Sequence, residues 1–187
     1  MKSFAHILFV ISSFLIFTSC GGDDDSNNPP SDPGGHGGSA SFDISGEIEG
    51  EHSGIADFRA FEMAGVYNWD ITIINQDPIT FNISFLQQGE DPIDRPGEGT
   101  YELGINPGNQ SNDIYTGSYV NYGGNPSEQD NYTIGIDETS GTMEITSSSD
   151  ELIEGTFSFT AARIGDDGNV AGTIEVTNGE FSAVPRP

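Results

Sequence analysis

From about residue 40 to the end, apolar and polar side chains alternate with period two, and no long window carries the stripe of a helix. Phe42, Ile44 and Ile48 fall on one side of the first segment, and Tyr67, Trp69, Ile71 and Ile73 on one side of the next. Ile79, Phe81, Ile83 and Phe85 alternate with Thr80, Asn82 and Ser84. Further segments span 99–104, 113–122, 131–136 and 142–145, and Ile153, Phe157, Phe159 and Ala161 share a face of the one after them. The last pair covers 170–177 and 180–184. Side chains two apart lie on one face of a strand, so the pattern predicts about ten short strands with turns between them. The expected fold is all-β, a single antiparallel β-sandwich, with a closed β-barrel as the alternative. Thr, Ser, Asn and Glu fill the outward positions, which excludes a barrel embedded in a membrane.

Asn178-Gly179 is the strongest local turn signal. A two-residue Asn-Gly loop favours a type I′ hairpin, which would pair Thr177 with Glu180, Val176 with Phe181 and Ile174 with Ala183. Segments 138–141 and 166–169 predict longer turns of the same kind.

The first residues follow a different pattern. Lys2 precedes a largely apolar stretch from Phe4 to Phe17, too short for a membrane-spanning helix of about 20 residues. Phe17-Thr18-Ser19-Cys20 then resembles the lipobox of bacterial lipoproteins, with Phe17 in the place usually held by leucine. The resemblance implies a signal peptide over 1–19 and an acylated Cys20 as the first mature residue. Cys20 is the chain's only cysteine, so it has no internal disulfide partner. Mature lipoproteins carry two or three acyl chains, and each buried methylene adds about 0.8 kcal/mol, so the anchor would be stable. Residues 20–39 form the expected tether: Gly, Asp, Pro, Asn and Ser without a large apolar side chain, a composition that stays disordered and spans roughly 25 Å. Asp23, Asp24 and Asp25 resemble the acidic export signal of surface lipoproteins in the Bacteroidetes, which implies an outer membrane location facing the cell exterior. The alternative is a solvated spacer facing the periplasm. The segments GIADF (54–58), RPGEGTYELG (95–104), 140–161 and 176–184 are similar to a family of all-β Bacteroidetes lipoproteins. That similarity implies fold and location, and no activity.

The full chain has a formal charge of −25, and loss of Lys2 with the signal peptide leaves four arginines against 30 acids. A chain so acidic repels nucleic acid, whose binding needs clustered Lys and Arg. The composition also removes several chemistries. His36 and His52 are the only histidines beyond residue 19, too few for a structural zinc site or a histidine-rich active site. His52, in GEHSG, is expected on a surface turn, and no nucleophile elbow or phosphate loop is present. Glu47, Glu49 and Glu51 are expected to share a solvated strand face.

Three arrangements remain. No cofactor is expected, with calcium as the alternative: Asp166, Asp167 and Asn169 on one turn, and Glu90, Asp91 and Asp94 on another, offer the oxygen ligands it requires, although neither has the EF-hand spacing. Tyr115, Tyr119 and Tyr122 in DIYTGSYVNY offer flat, polar-tipped rings for a glycan or protein ligand. Paired carboxylates could serve a glycoside hydrolase acting on surface polysaccharide. The leading expectation is a membrane-anchored lipoprotein whose domain, residues 40–187, is a non-enzymatic binding or structural module; the hydrolase is the alternative.

Overall fold

A computed structural model of the chain describes residues 37–75, 79–105, 113–123 and 129–186. The expected signal peptide, Cys20, Asp23 to Asp25 and most of the expected tether lie outside the described residues.

Ten strands, and no helix among the described residues, form one mixed sheet. They are β1 (Ser39–Gly46), β2 (Gly50–Met63), β3 (Val66–Ile74), β4 (Phe81–Gly89), β5 (Gly99–Leu103), β6 (Ile114–Asn121), β7 (Asp130–Thr133), β8 (Gly141–Ser148), β9 (Ile153–Ile164) and β10 (Val170–Pro185). The ladders run β2-β3-β4-β6-β5-β8-β9-β10 and return to β2, so they close into a ring. Most pairings are antiparallel, as expected. Two short seams are parallel: β10 with β2 at Val184–Asp57 and Pro185–Phe58, and β5 with β6 at Glu102–Ile114 and Leu103–Tyr115. β1 is wedged between β10 and β2 over part of their length, and β7 bridges β6 and β9 in the same way.

The alternating pattern is what places the core inside. Ile71, Ile73, Ile83, Phe85, Met143, Ile145, Phe157, Phe159, Ile174 and Val176 all point inward and are buried in one cluster. Each large apolar side chain withdrawn from water contributes roughly 1.5–3 kcal/mol. The rings fit because glycine stands opposite several of them: Phe85 faces Gly117, Phe157 faces Gly179, Phe159 faces Gly141 and Phe181 faces Gly155. A Cβ on Gly179 would lie 2.6 Å from the Phe157 ring, and one on Gly155 2.9 Å from Phe181. The aromatic ring thus covers the bare backbone of its cross-strand neighbour.

One turn expectation is corrected. Asn178 and Gly179 make no hairpin; they lie inside β10, where the register with β9 shifts between Val176 and Gly179. Asn178 has φ 52° and donates from its amide to Asp43 Oδ2 at 2.7 Å. An Asn with positive φ followed by Gly suits a bulge as well as a type I′ turn. Before the bulge the even-numbered Ile174 and Val176 face inward; after it the odd-numbered Phe181 and Ala183 do. One extra residue keeps a single strand on the core across that change of parity. The two-residue hairpin lies instead at Ala64-Gly65, between Met63 and Val66, with φ 55° and 81°.

The residues just before β1 enter the sheet at a narrow point. Gly38 N–H donates to Ala56 O at 3.1 Å, and a Cβ on Gly38 would lie 1.8 Å from Ser182 O. Only glycine passes between β10 and β2 there.

Candidate functional site

The acids and arginines divide the outside of the ring into unlike faces. On β2 and β3, Arg186 Nε donates to Asp57 Oδ1 at 2.7 Å, and Arg59 Nε lies 3.4 Å from Asp70 Oδ2. Ser84 Oγ donates to Asp70 Oδ1 at 2.9 Å. Asp70 points outward, as alternation predicts, yet these long side chains bury it. Arg95 pairs with Asp150 and donates to Ser148 Oγ at 3.1 Å.

Arg163 belongs to a clasp across the sheet. Its Nη2 donates to Glu47 Oε1 at 2.8 Å, and the Tyr132 hydroxyl donates to Glu47 Oε2 at 2.8 Å. Arg163 Nε lies 3.4 Å from Asp130. Glu47 therefore stands in the β1–β2 turn and not on a strand, exposed as expected but held by two partners. The Arg163 bond, then the Tyr132 bond, hold its carboxyl below the ordinary value. Burial, then the bond to Glu47, pushes Tyr132 up to about 12. Gly172 makes room for this clasp, since a Cβ there would lie 1.6 Å from Glu47 Oε2.

The opposite outer face, on β1, β10, β9, β8 and β5, is built of hydroxyls and carboxylates. Cross-strand register sets Ser41, Glu180, Thr156, Glu144 and Thr100 in one row, with Ser158 beside Thr142 and Ser182 beside both Ser39 and Glu154. Shallow hollows of about 330, 510 and 350 Å³ adjoin along this face and share Thr156, Glu180, Thr142, Ser158 and Thr177. The alternation of the strands was visible beforehand, but the row depends on which strands become neighbours.

The tyrosine expectation is corrected. Tyr115 and Tyr119 are 0% and 1% exposed and belong to the core; only Tyr122, at the end of β6, is partly exposed. Their faces alternate with Thr116, Ser118 and Val120, and the ring closes over the tyrosine side. Tyr119 stacks on Phe81 with centroids 6.1 Å apart, and burial pushes its phenol up to about 12. Asp166, Asp167 and Asn169 do share the exposed β9–β10 turn. Asp167 Oδ1 accepts the Asn169 N–H at 3.0 Å and Oδ2 its side-chain amide at 2.9 Å, which lowers the Asp167 pKa. Among the described residues no group of three or more His, Cys, Asp or Glu is arranged to hold a metal ion.

His52 is a further correction. It lies within β2, stacked on Phe42 with centroids 5.4 Å apart and 14° between planes, and edge-on to Phe81 at 5.4 Å. Burial holds its pKa below 6.5, so the unfolded chain binds the proton more readily. Stability is therefore expected to be complete above about pH 6.5 and to fall as the pH drops below it, until folded His52 also protonates. Thermal melts from pH 7.5 to 5 on the wild type and His52→Phe check this: the variant should lose that part of the slope.

Neither the curated proteins nor the solved structures contain a match to the chain. A family model for a domain of unknown function, DUF6252, matches residues 58–185, from the middle of β2 to the last residue of β10 and well over half of the chain. The chain belongs to the DUF6252 family.

Proposed function

We propose that this protein is a lipid-anchored lipoprotein of the outer membrane, facing the cell exterior, whose β domain is a non-enzymatic binding or structural module. The observation that carries this reading is the placement of polar groups: apolar side chains fill the ring, and the carboxylates of the β1-β10-β9-β8-β5 face stand outside among hydroxyls. In the central row Glu180 and Glu144 flank Thr156 from two strands apart, about 10 Å, and both are exposed. A glycosidase needs one acid held protonated by burial in a cleft beside its partner, and these open rows suit contact instead. The path of the chain supports outward presentation. β1 carries it roughly 26 Å from the tether to the β1–β2 turn, at eight residues of about 3.3 Å each. That turn and the clasp at Glu47 therefore project away from the tether.

The test is labelled palmitate together with protease treatment of intact cells. Label is expected on the wild type and none on Cys20→Ala, with the domain released by protease outside the cell. Absence of label removes the anchor, and a protected domain removes surface exposure. A polysaccharide cleaved by the purified protein, with reducing ends released, would remove the non-enzymatic role.

A further inference from the structure

One end of the ring interior differs from the rest. On β3 and β4 Trp69 is paired with Gln87, and one step beyond the Leu86–Thr116 pair Gln87 is followed by Tyr115 on β6. All three face inward and are buried. The Tyr115 ring meets Tyr101 edge-on, with centroids 5.5 Å apart. The Tyr115 hydroxyl has no hydrogen-bond partner among the described residues, although the residue is 0% exposed. Buried hydroxyls are normally bonded, because an unmet one forfeits its hydration.

The segment from Glu90 to Glu98 lies across this end. Trp69 Nε1–H donates to Ile93 O at 3.1 Å, Ser148 Oγ to Pro96 O at 2.6 Å and the Tyr101 hydroxyl to Gly97 O at 2.9 Å. Trp69 and Tyr101, on either side of the Gln87–Tyr115 pair, thus help to fasten the strap, with Ser148 and the exposed Arg95–Asp150 pair holding its far part. Ile93 itself packs partly buried against the core. Side-chain bonds to single carbonyls release more easily than a strand ladder, so the strap can lift with the rest of the ring intact.

The geometry points to a strap-gated binding site in which a small uncharged molecule, with an apolar body and one hydrogen-bonding group, replaces the Ile93 side chain and pairs with the Tyr115 hydroxyl. Its charge follows from the surroundings. No buried charged side chain faces the interior among the described residues, so an ion would find no counter-charge. Exposed Glu90, Asp91, Asp94 and Glu98 on the strap repel anions as well. This site adds a ligand class to the binding role and is independent of the lipid anchor.

The test uses the full chain from residue 20 carrying Cys20→Ser, so that failure of lipidation and failure of this site are read separately. The probes are benzyl alcohol and toluene, followed by fluorescence of Trp69, the chain's only tryptophan. Ile93→Ala is expected to tighten benzyl alcohol binding about tenfold by opening room. Adding Tyr115→Phe is expected to weaken benzyl alcohol about tenfold, the effect of one hydrogen bond, and to leave toluene unchanged. Tyr115→Phe alone is expected to keep or raise the melting temperature, since it removes an unmet hydroxyl. Three outcomes would overturn the site: no gain with Ile93→Ala, equal losses for both probes with Tyr115→Phe, or a melting temperature lowered by more than about 3 °C in Tyr115→Phe, which would place the hydroxyl in a bond of the fold.

Discussion

Deleting Asn178 alone is expected to leave the domain without a cooperative thermal transition. The residue is the extra one in the β10 bulge, and the inward set changes from even to odd numbers across it. Without it, either Phe181 and Ala183 turn outward while Glu180 and Ser182 turn in, or the β9–β10 ladder slips by one along its whole second half. The first outcome exposes a phenylalanine and buries a carboxylate that has no arginine beside it. The second breaks the pairing of Phe181 with Gly155. Either loss is comparable with the whole stability of a domain, about 5–15 kcal/mol. Asn178→Gly is the matched control: it keeps the count and the positive φ, loses the bond to Asp43, and should cost about 1 kcal/mol. Circular dichroism melts of the two variants decide the matter. A deletion variant that melts cooperatively within a few degrees of the wild type would show that the bulge does not set the register.

Phe157→Ala is expected to cost about 3–5 kcal/mol, the usual penalty for removing a buried phenylalanine. Its ring lies at the meeting of four others: Phe85 at 5.3 Å, Phe42 at 6.0 Å, and Phe159 and Phe181 at 6.3 Å between centroids. Gly179 across the ladder has no side chain to fill the space, so the cavity cannot close locally. With about 2–4 °C per kcal/mol for a domain of this size, the melting temperature should fall by roughly 6–20 °C. Denaturant unfolding measures the free energy directly, and Phe157→Leu should lose appreciably less. A loss under about 1 kcal/mol for the alanine variant would mean that the neighbouring rings collapse into the gap.

Much of the fold was legible because burial here follows period two closely. Phe81, Ile83 and Phe85 alternate with partly exposed Asn82 and Ser84 as expected, and Phe157, Phe159 and Ala161 do the same. Ile79, counted with the first group, falls before β4 and is 46% exposed. The local rules failed where two structures want the same residues. Asn178-Gly179 fits a hairpin and a bulge equally, whereas Ala64-Gly65 carries no strong signal and makes the tight turn. Tyr115 and Tyr119 show the limit of alternation: it groups side chains by face, and a ring with a polar tip suits either side. The clean polar run Thr116, Ser118 on the other face was the clue that the tyrosines turn in. The clasp was out of reach, since Glu47, Tyr132 and Arg163 are far apart in the chain and meet only once the ring has closed.

The seam at β2 and β10 has a consequence for how the protein is made. The second half of β2 pairs with β3 along one edge, while at Asp57 and Phe58 its other edge meets Val184 and Pro185, and Ser39 pairs with Ser182. One edge of β1 and part of one edge of β2 therefore stay unpaired until β10 is made, and long-range pairing of this kind is slow to form. Completion of the ring waits for β10, the last of the ten strands to be made.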